Sequence, residues 1–202
     1  KAKPPEVPTF AQVAGPLEAL QPLEVWLVPQ GPSALSRQWR QLLHHHHYLG
    51  AGPLCGAQLR YVVQSPHGPV AALAFSAAAR QVAGRDHWIG WDAATRRQNL
   101  HWVVNHSRFL VLGQVPNLAS FVLSRVTARL AQDWQERYGY RPVLLETFVE
   151  RERFNGGCYR AAHWQAIAVT QGRGRQDRRH EQAVARKCLW VFPLEKHFRQ
   201  VL

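Results

Sequence analysis

Apolar positions recur along this chain with two clear periods, and those periods predict its elements. Between Leu118 and Tyr138, the residues Val122, Leu123, Val126, Leu130 and Trp134 fall at helical spacing. Pro116-Asn117 precedes them and Gly139 follows, so the pattern predicts a long helix buried along one stripe. Alternation from Gln58 to Val63, a Pro66-His67-Gly68-Pro69 turn and a returning run from Val70 to Phe75 predict a hairpin. Leu100 to Val104 and Phe109 to Leu112 are apolar and flank Asn105-His106-Ser107-Arg108, which reads as one strand interrupted by a bulge or bend. Pro142 to Val149 is rich in β-branched and aromatic residues and predicts a strand. A short helix around Tyr159 to His163, a strand from Gln165 to Thr170 and a closing strand from Leu189 to Phe192 follow. Nearer the start, Ser33 is placed to cap a helix through Trp39, Leu42 and Leu43 that ends before Gly50. Arg80 to Asn99 reads as a polar stretch.

The first 32 residues hold seven of the 13 prolines. They predict an extended leader with Leu23 to Val28 as its one strand, followed by a single domain over residues 33–202. The order of helix, hairpin, broken strand, long helix, strand, short helix and strand matches the core of the GNAT-like acyltransferase fold. In that fold a long helix follows a bent strand and the next strand splays away. The predicted class is therefore α/β, with a GNAT-like mixed sheet and a long helix packed on it.

Composition changes the picture mainly through charge. Twenty-five Lys plus Arg stand against 13 Asp plus Glu, a net charge of +12. Such an excess opposes compaction and points to a polyanionic partner, here nucleic acid, although a basic protein that is merely well solvated has the same balance. The basic residues are mostly arginine, which suits planar, bidentate recognition of phosphate. Cys55, Cys158 and Cys188 are odd in number and widely spaced, which argues against a disulfide framework or a cysteine zinc site. No run of about 20 apolar residues predicts a membrane span, and no stretch reads as a basic amphipathic membrane anchor. The amino terminus lacks the order of a signal peptide, and the absence of Met suggests that an initiator or leader has been trimmed. A cytoplasmic location is expected.

Several blocks carry a family resemblance from about Leu35 onward. They include His47-Tyr48-Leu49-Gly50, Gly56-Ala57-Gln58-Leu59-Arg60-Tyr61, Ile89-Gly90-Trp91, Asn99-Leu100-His101 and Val104-Asn105-His106-Ser107-Arg108-Phe109-Leu110. Val115-Pro116-Asn117-Leu118-Ala119-Ser120 follows, then the uninterrupted Tyr138-Gly139-Tyr140-Arg141-Pro142-Val143-Leu144-Leu145-Glu146-Thr147-Phe148-Val149. Cys158-Tyr159-Arg160-Ala161-Ala162, Gly172-Arg173-Gly174-Arg175 and Lys187 complete the set. Together these resemble the DruA family of Druantia-type anti-phage systems. Two positions depart from the family pattern: His163 stands where Asn is usual, and Cys188 where Asp is usual. The resemblance implies phage defence, and through relatives fused to insertion-sequence transposases it implies DNA, without naming a reaction. Expected partners are DNA and a helicase or transposase.

Glu146 is the first candidate for chemistry. It shares a strand face with Leu144 and Phe148, where a carboxylate is costly unless paired or used. Burial would shift it toward a general acid or base, and a structural ion pair with an arginine such as Arg108 or Arg141 fits equally. Asn105, Ser107 and Arg108 either aim at a ligand in a cleft or close a hydrogen-bonded bulge. Tyr159 could serve as a nucleophile, Arg160 as a phosphate clamp and Trp164 as a stacking ring; capping and core packing are the alternatives. His47 belongs to a run, His44 to His47, whose i, i+2 pairs would ligate a divalent metal only on a strand. The loop Gln171 to Arg179, with Arg173, Arg175 and Arg178, is the densest phosphate-binding candidate, and Lys187 follows it. It superficially resembles an acetyltransferase pyrophosphate loop, but that loop should precede the long helix, where Val115-Pro116-Asn117-Leu118-Ala119 carries neither glycine nor arginine. Catalysis is therefore assigned to Glu146, Tyr159, His47, Asn105 and Arg108, with strand nicking favoured. Acyl or aminoacyl transfer and a silent DNA-binding module are the alternatives.

Overall fold

Alternate side chains along each strand sort the core onto two faces of one sheet. A computed structural model describes residues 14–170 and 185–202. The elements are β1 (Glu24–Leu27), α1 (Ala34–His46), β2 (Gln58–Ser65), β3 (Gly68–Ala77), α2 (Ala83–Ile89), α3 (Ala93–Asn99), β4 (Val103–Val111) and α4 (Leu118–Tyr138). They continue with β5 (Leu144–Glu150), α5 (Gly157–Ala161), β6 (Gln165–Val169), β7 (Lys187–Pro193) and α6 (Phe198–Val201). The seven strands lie in the order β1-β2-β3-β4-β5-β7-β6. Every neighbouring pair is antiparallel except β4 and β5.

On one face, Leu59, Tyr61, Leu73, Phe75, Val104 and Leu145 meet the stripe of α4, whose Val122, Leu123, Val126, Leu130 and Trp134 are all buried. Asn117 and Gly139 bound α4 with left-handed backbone, at φ 62° and 79°, and the Gly139 N–H donates to the Gln135 carbonyl as a helix stop. On the other face, Trp39, Leu42 and Leu43 of α1 cover Val62, Ala72, Ala74 and Leu110. A separate patch joins Val103, Leu144 and Val191 to Ile89 and Phe198. Between these two patches the same face carries Ser76, Asn105, Arg108 and Glu146.

The expected helix stop, hairpin and splayed strand order are all present, and Ser33 caps α1 by accepting the Ser36 N–H at 2.9 Å. Two expectations need correction. Residues 17–28 do not hang off the domain as a leader, because β1 pairs with β2, and Leu20 and Val28 are fully buried. The stretch 80–99 folds into α2 and α3, each too short to show a helical period, with Asp92 capping α3 through the Thr95 N–H. No helix among the described residues is long and apolar enough to cross a membrane.

Candidate functional site at the opening between β4 and β5

The parallel ladder between β4 and β5 runs only from Val103↔Leu144 to Asn105↔Glu146. Beyond that rung the strands part. The β3–β4 register passes from Ala74↔Arg108 to Phe75↔His106, which leaves Ser107 as an extra residue. This is the expected bulge: it bends β4 away from β5, and its Ser107 hydroxyl is hydrogen-bonded to that of Ser76. Thr147 Oγ1 donates to the His106 carbonyl at 3.0 Å, satisfying backbone that β5 no longer reaches.

The opening is bridged by the segment that leaves α1. Arg108 Nε donates to the Gly50 carbonyl at 3.3 Å, and its Nη1 donates to the Ser107 carbonyl at 2.8 Å. Among the described residues Arg108 has no carboxylate partner. His47 is half-buried beside it and hydrogen-bonds to the Phe109 backbone; burial and the Arg108 charge together lower its pKa to about 4, so it is neutral at pH 7. Tyr48 stacks on His47, with centroids 5.0 Å apart, and packs against Phe154 at 5.6 Å. Arg153 lies 4.7 Å over the Tyr48 ring and is 3.5 Å from Glu150. Tyr48 and Phe154 remain 43% and 49% exposed. The mouth is therefore an aromatic surface framed by arginines.

Glu146 sits at the last rung, opposite Asn105, but is turned to a buried partner. It is 0% exposed and pairs with Arg85 of α2 at 3.0 Å, also 0% exposed. The Ala79 N–H donates to its other oxygen at 3.2 Å. Burial pushes the Glu146 carboxyl up, while the Arg85 charge and these bonds pull it down. Arg85 further donates to the Ala79 carbonyl and Asp86, and Asp86 also accepts from Trp91 and Arg96. The ion-pair alternative thus describes Glu146, but with Arg85 as partner rather than Arg108 or Arg141. Arg85 was missed because the polar stretch 80–99 showed no period that would aim it inward.

Tyr159 occupies the opposite face, packed with Leu145 and Val149, so it does not share a cleft with Glu146. It is 7% exposed, its hydroxyl lies 3.2 Å from His106 Nδ1, and burial pushes its phenol up, none of which suits a surface nucleophile. His106, lowered to about 3 by burial, sits between Phe75 and Trp164. Trp164 is buried, which closes it to base stacking, while exposed Arg160 lies 6.0 Å over Trp190. Gly156 turns into α5 at φ +71°, and a Cβ there would come within 2.5 Å of the Trp190 ring. Lys187 faces Glu150 across the β5–β7 ladder. Arg173, Arg175 and Arg178 lie outside the described residues. His44, His45 and His46 are exposed on α1 rather than on a strand, so i, i+2 pairs diverge. Among the described residues no group of three or more His, Cys, Asp or Glu could hold a metal. The structure thus brings His47, Asn105 and Arg108 to one strand break, seals Glu146 under α2 at the same rung, and puts Tyr159 and Trp164 on the opposite face. Tyr48 and Phe154 were not singled out: Tyr48 stood within the His47-Tyr48-Leu49-Gly50 block, and Phe154 carried no signal.

The model of the family described as Druantia protein DruA matches residues 4–189. The chain belongs to the DruA family. That places it among anti-phage defence proteins of the Druantia type. No curated protein matches the chain. Among solved structures, yncA from Salmonella typhimurium, solved with its cofactor acetyl-CoA, is similar at 12% identity and a TM-score of 0.51, over 87% of this chain and 95% of that one. The aminoglycoside acetyltransferase AAC(6')-Ib in complex with coenzyme A is similar at 11% identity and a TM-score of 0.50, over 88% and 96%. The aminoglycoside 6'-acetyltransferase type Ii is similar at 8% identity and a TM-score of 0.50, over 85% and 97%. At these identities the likeness establishes the GNAT fold for this DruA protein and nothing about its reaction.

The fold family implies coenzyme A, and the start of α4 offers a reduced set of donors for its phosphates. An anion at the start of α4 needs free backbone N–H groups. Pro116 has none and the Leu118 N–H donates to the Val115 carbonyl at 3.2 Å, which leaves the N–H groups of Ala119 and Ser120 in the first turn. His47 to Gly50 cross the mouth between β4 and β5, where Arg108 donates to the Gly50 carbonyl.

Proposed function

We propose that this DruA-family protein binds DNA at the mouth between β4 and β5, and that DNA processing in its defence system takes place there. The observation that carries the reading is the exposed Tyr48–Phe154 pair framed by Arg108 and Arg153 on a chain of net charge +12. Every base has a flat face, so such a pair receives an unpaired or extruded base, while arginines answer the phosphates. Arg160 and Lys187 add positive charge, and Arg173, Arg175 and Arg178 belong to the arginine-rich sequence between β6 and β7. If the bound strand is cut, His47, held neutral, would take up the proton at Nδ1 in place of the Leu49 N–H that this nitrogen accepts at 3.1 Å. Arg108 beside it suits charge developing on a phosphate.

The test is a nicking and binding assay on single- and double-stranded DNA, with and without a divalent metal, and with intact masses recorded for protein and DNA. Replacing Arg173, Arg175 and Arg178 with alanine should flatten the logarithmic salt dependence of duplex binding by about 2–3, at roughly 0.9 per phosphate contact. An unchanged slope would remove these three arginines from the interface. His47→Gln should abolish cleavage and leave binding intact. Binding without cleavage or modification would instead identify a module that delivers DNA to a helicase or transposase partner. Acyl or aminoacyl transfer remains the second reading on fold alone, and a mass increment on either macromolecule dependent on coenzyme A or aminoacyl-tRNA would favour it.

A further inference from the structure

A hollow of about 530 Å³ opens where the end of β1 and the start of β2 meet the last turn of α4, with none of the residues of the β4–β5 mouth in its lining. Its walls include Arg60, Arg137, Gln30, Gln58 and the backbone of Gly31 and Gly56. Arg60 is held rigidly. Its Nη1 donates to Ser36 Oγ at 3.2 Å, its Nη2 to the Pro29 carbonyl at 3.3 Å, and its guanidinium lies 5.4 Å over the Trp39 ring. Arg137 Nη2 donates to the Val28 carbonyl at 3.2 Å. Every one of these acceptors is neutral. Among the described residues neither arginine has a carboxylate within ion-pair distance.

Positive charge is therefore concentrated here without an answer. Arg60 is disfavoured in its charged form by burial and then by the charges of Arg40 and Arg137, a penalty that a bound anion would remove. A guanidinium offers five donors. Arg60 commits two and Arg137 one to the bonds above, so donors remain for a ligand in a fork that matches phosphate. The volume falls within the ~300–1,000 Å³ range of small-molecule sites. Gln30 and Gln58 supply both donors and acceptors of the kind that read a base edge. We propose that this hollow binds a phosphate-bearing ligand of mononucleotide size through Arg60 and Arg137, apart from the DNA surface at the β4–β5 mouth.

The test is calorimetric titration of the full chain with inorganic phosphate, with the common nucleoside monophosphates, and with a short single-stranded oligonucleotide. A nucleoside monophosphate should bind, and Arg60→Gln and Arg137→Gln should each weaken it at least tenfold. Arg137→Gln is the cleaner variant because Arg60 also packs on Trp39. Circular dichroism melting establishes that each variant is folded. Tyr48→Ala should leave this binding unchanged, which separates failure here from failure at the mouth. If only the oligonucleotide binds in an Arg137-dependent way, the phosphate chemistry stands and its source is a strand. No binding by any of the three, or binding indifferent to both arginine variants, would overturn the proposal.

Discussion

Arg85 and Arg108 approach the same pair of strands and end in opposite situations. Arg85 comes from α2, is fully buried, and meets Glu146, Asp86 and the Ala79 carbonyl. Arg108 comes from β4 just past the last β4–β5 rung, is half-buried, and among the described residues donates to the carbonyls of Gly50 and Ser107 and to no carboxylate. The first is a closed account of charge, sealed under α2. The second holds a loop in place and keeps charge available beside two exposed aromatic rings. One strand position, the end of the ladder at Asn105 and Glu146, separates structural electrostatics from the surface we assign to binding.

The largest effect should come from opening the sealed pair. Glu146→Ala leaves Arg85 without its buried partner, a change that costs about 3–5 kcal/mol in comparable pairs, measurable by urea denaturation. The double replacement Arg85→Met with Glu146→Leu should recover most of that loss. If Glu146→Ala instead leaves stability intact and removes activity, Glu146 is a working group and the contrast with Arg108 collapses.

Gly156→Ala should follow in size. It imposes a side chain at φ +71° and drives a Cβ to within 2.5 Å of Trp190. Overpacking of this kind typically costs about 1–3 kcal/mol. The loss should be read as a lower melting temperature, together with weaker DNA binding, because Gly156 follows Phe154 closely and positions the turn that carries it.

A further effect is expected from pH, and its direction is set by two histidines. The unfolded chain protonates each near pH 6.5, whereas folded His47 and His106 do so only near pH 4 and pH 3. Between those limits the unfolded state binds more protons, so stability should fall as the pH drops from 6.5 toward 4 and be restored on return. His47→Gln should flatten part of that decline. A melting temperature that rises on acidification through this window would contradict the burial of both rings.

Much of the fold was legible because long periods leave little choice. The stripe from Val122 to Trp134 and the stop at Gly139 fix α4, and the interruption at Asn105 to Arg108 locates the bulge. What stayed hidden depended on partners distant in sequence. Glu146 and Arg85 are 61 residues apart, and nothing local in Arg80 to Asn99 aims an arginine at a strand. That Tyr159 is buried on the face opposite Glu146 was hidden for a related reason. A tyrosine in a five-residue helix has no pattern that tells which sheet face it meets. Tyr48 and Phe154 lie far apart in the chain, and their contact exists only because β4 and β5 separate.

The central claim is that the mouth between those strands, rather than the sealed pair beside it, engages DNA. Its most direct test is fluorescence anisotropy of a labelled single-stranded oligonucleotide with the wild type and with Tyr48→Ala/Phe154→Ala across a salt series. Loss of stacking is worth about 1–3 kcal/mol per base, so the double variant should bind roughly tenfold more weakly or worse. Its salt slope and melting temperature should match the wild type, because no phosphate contact and no buried group has been removed. An affinity equal to the wild type's at every salt concentration would contradict the account.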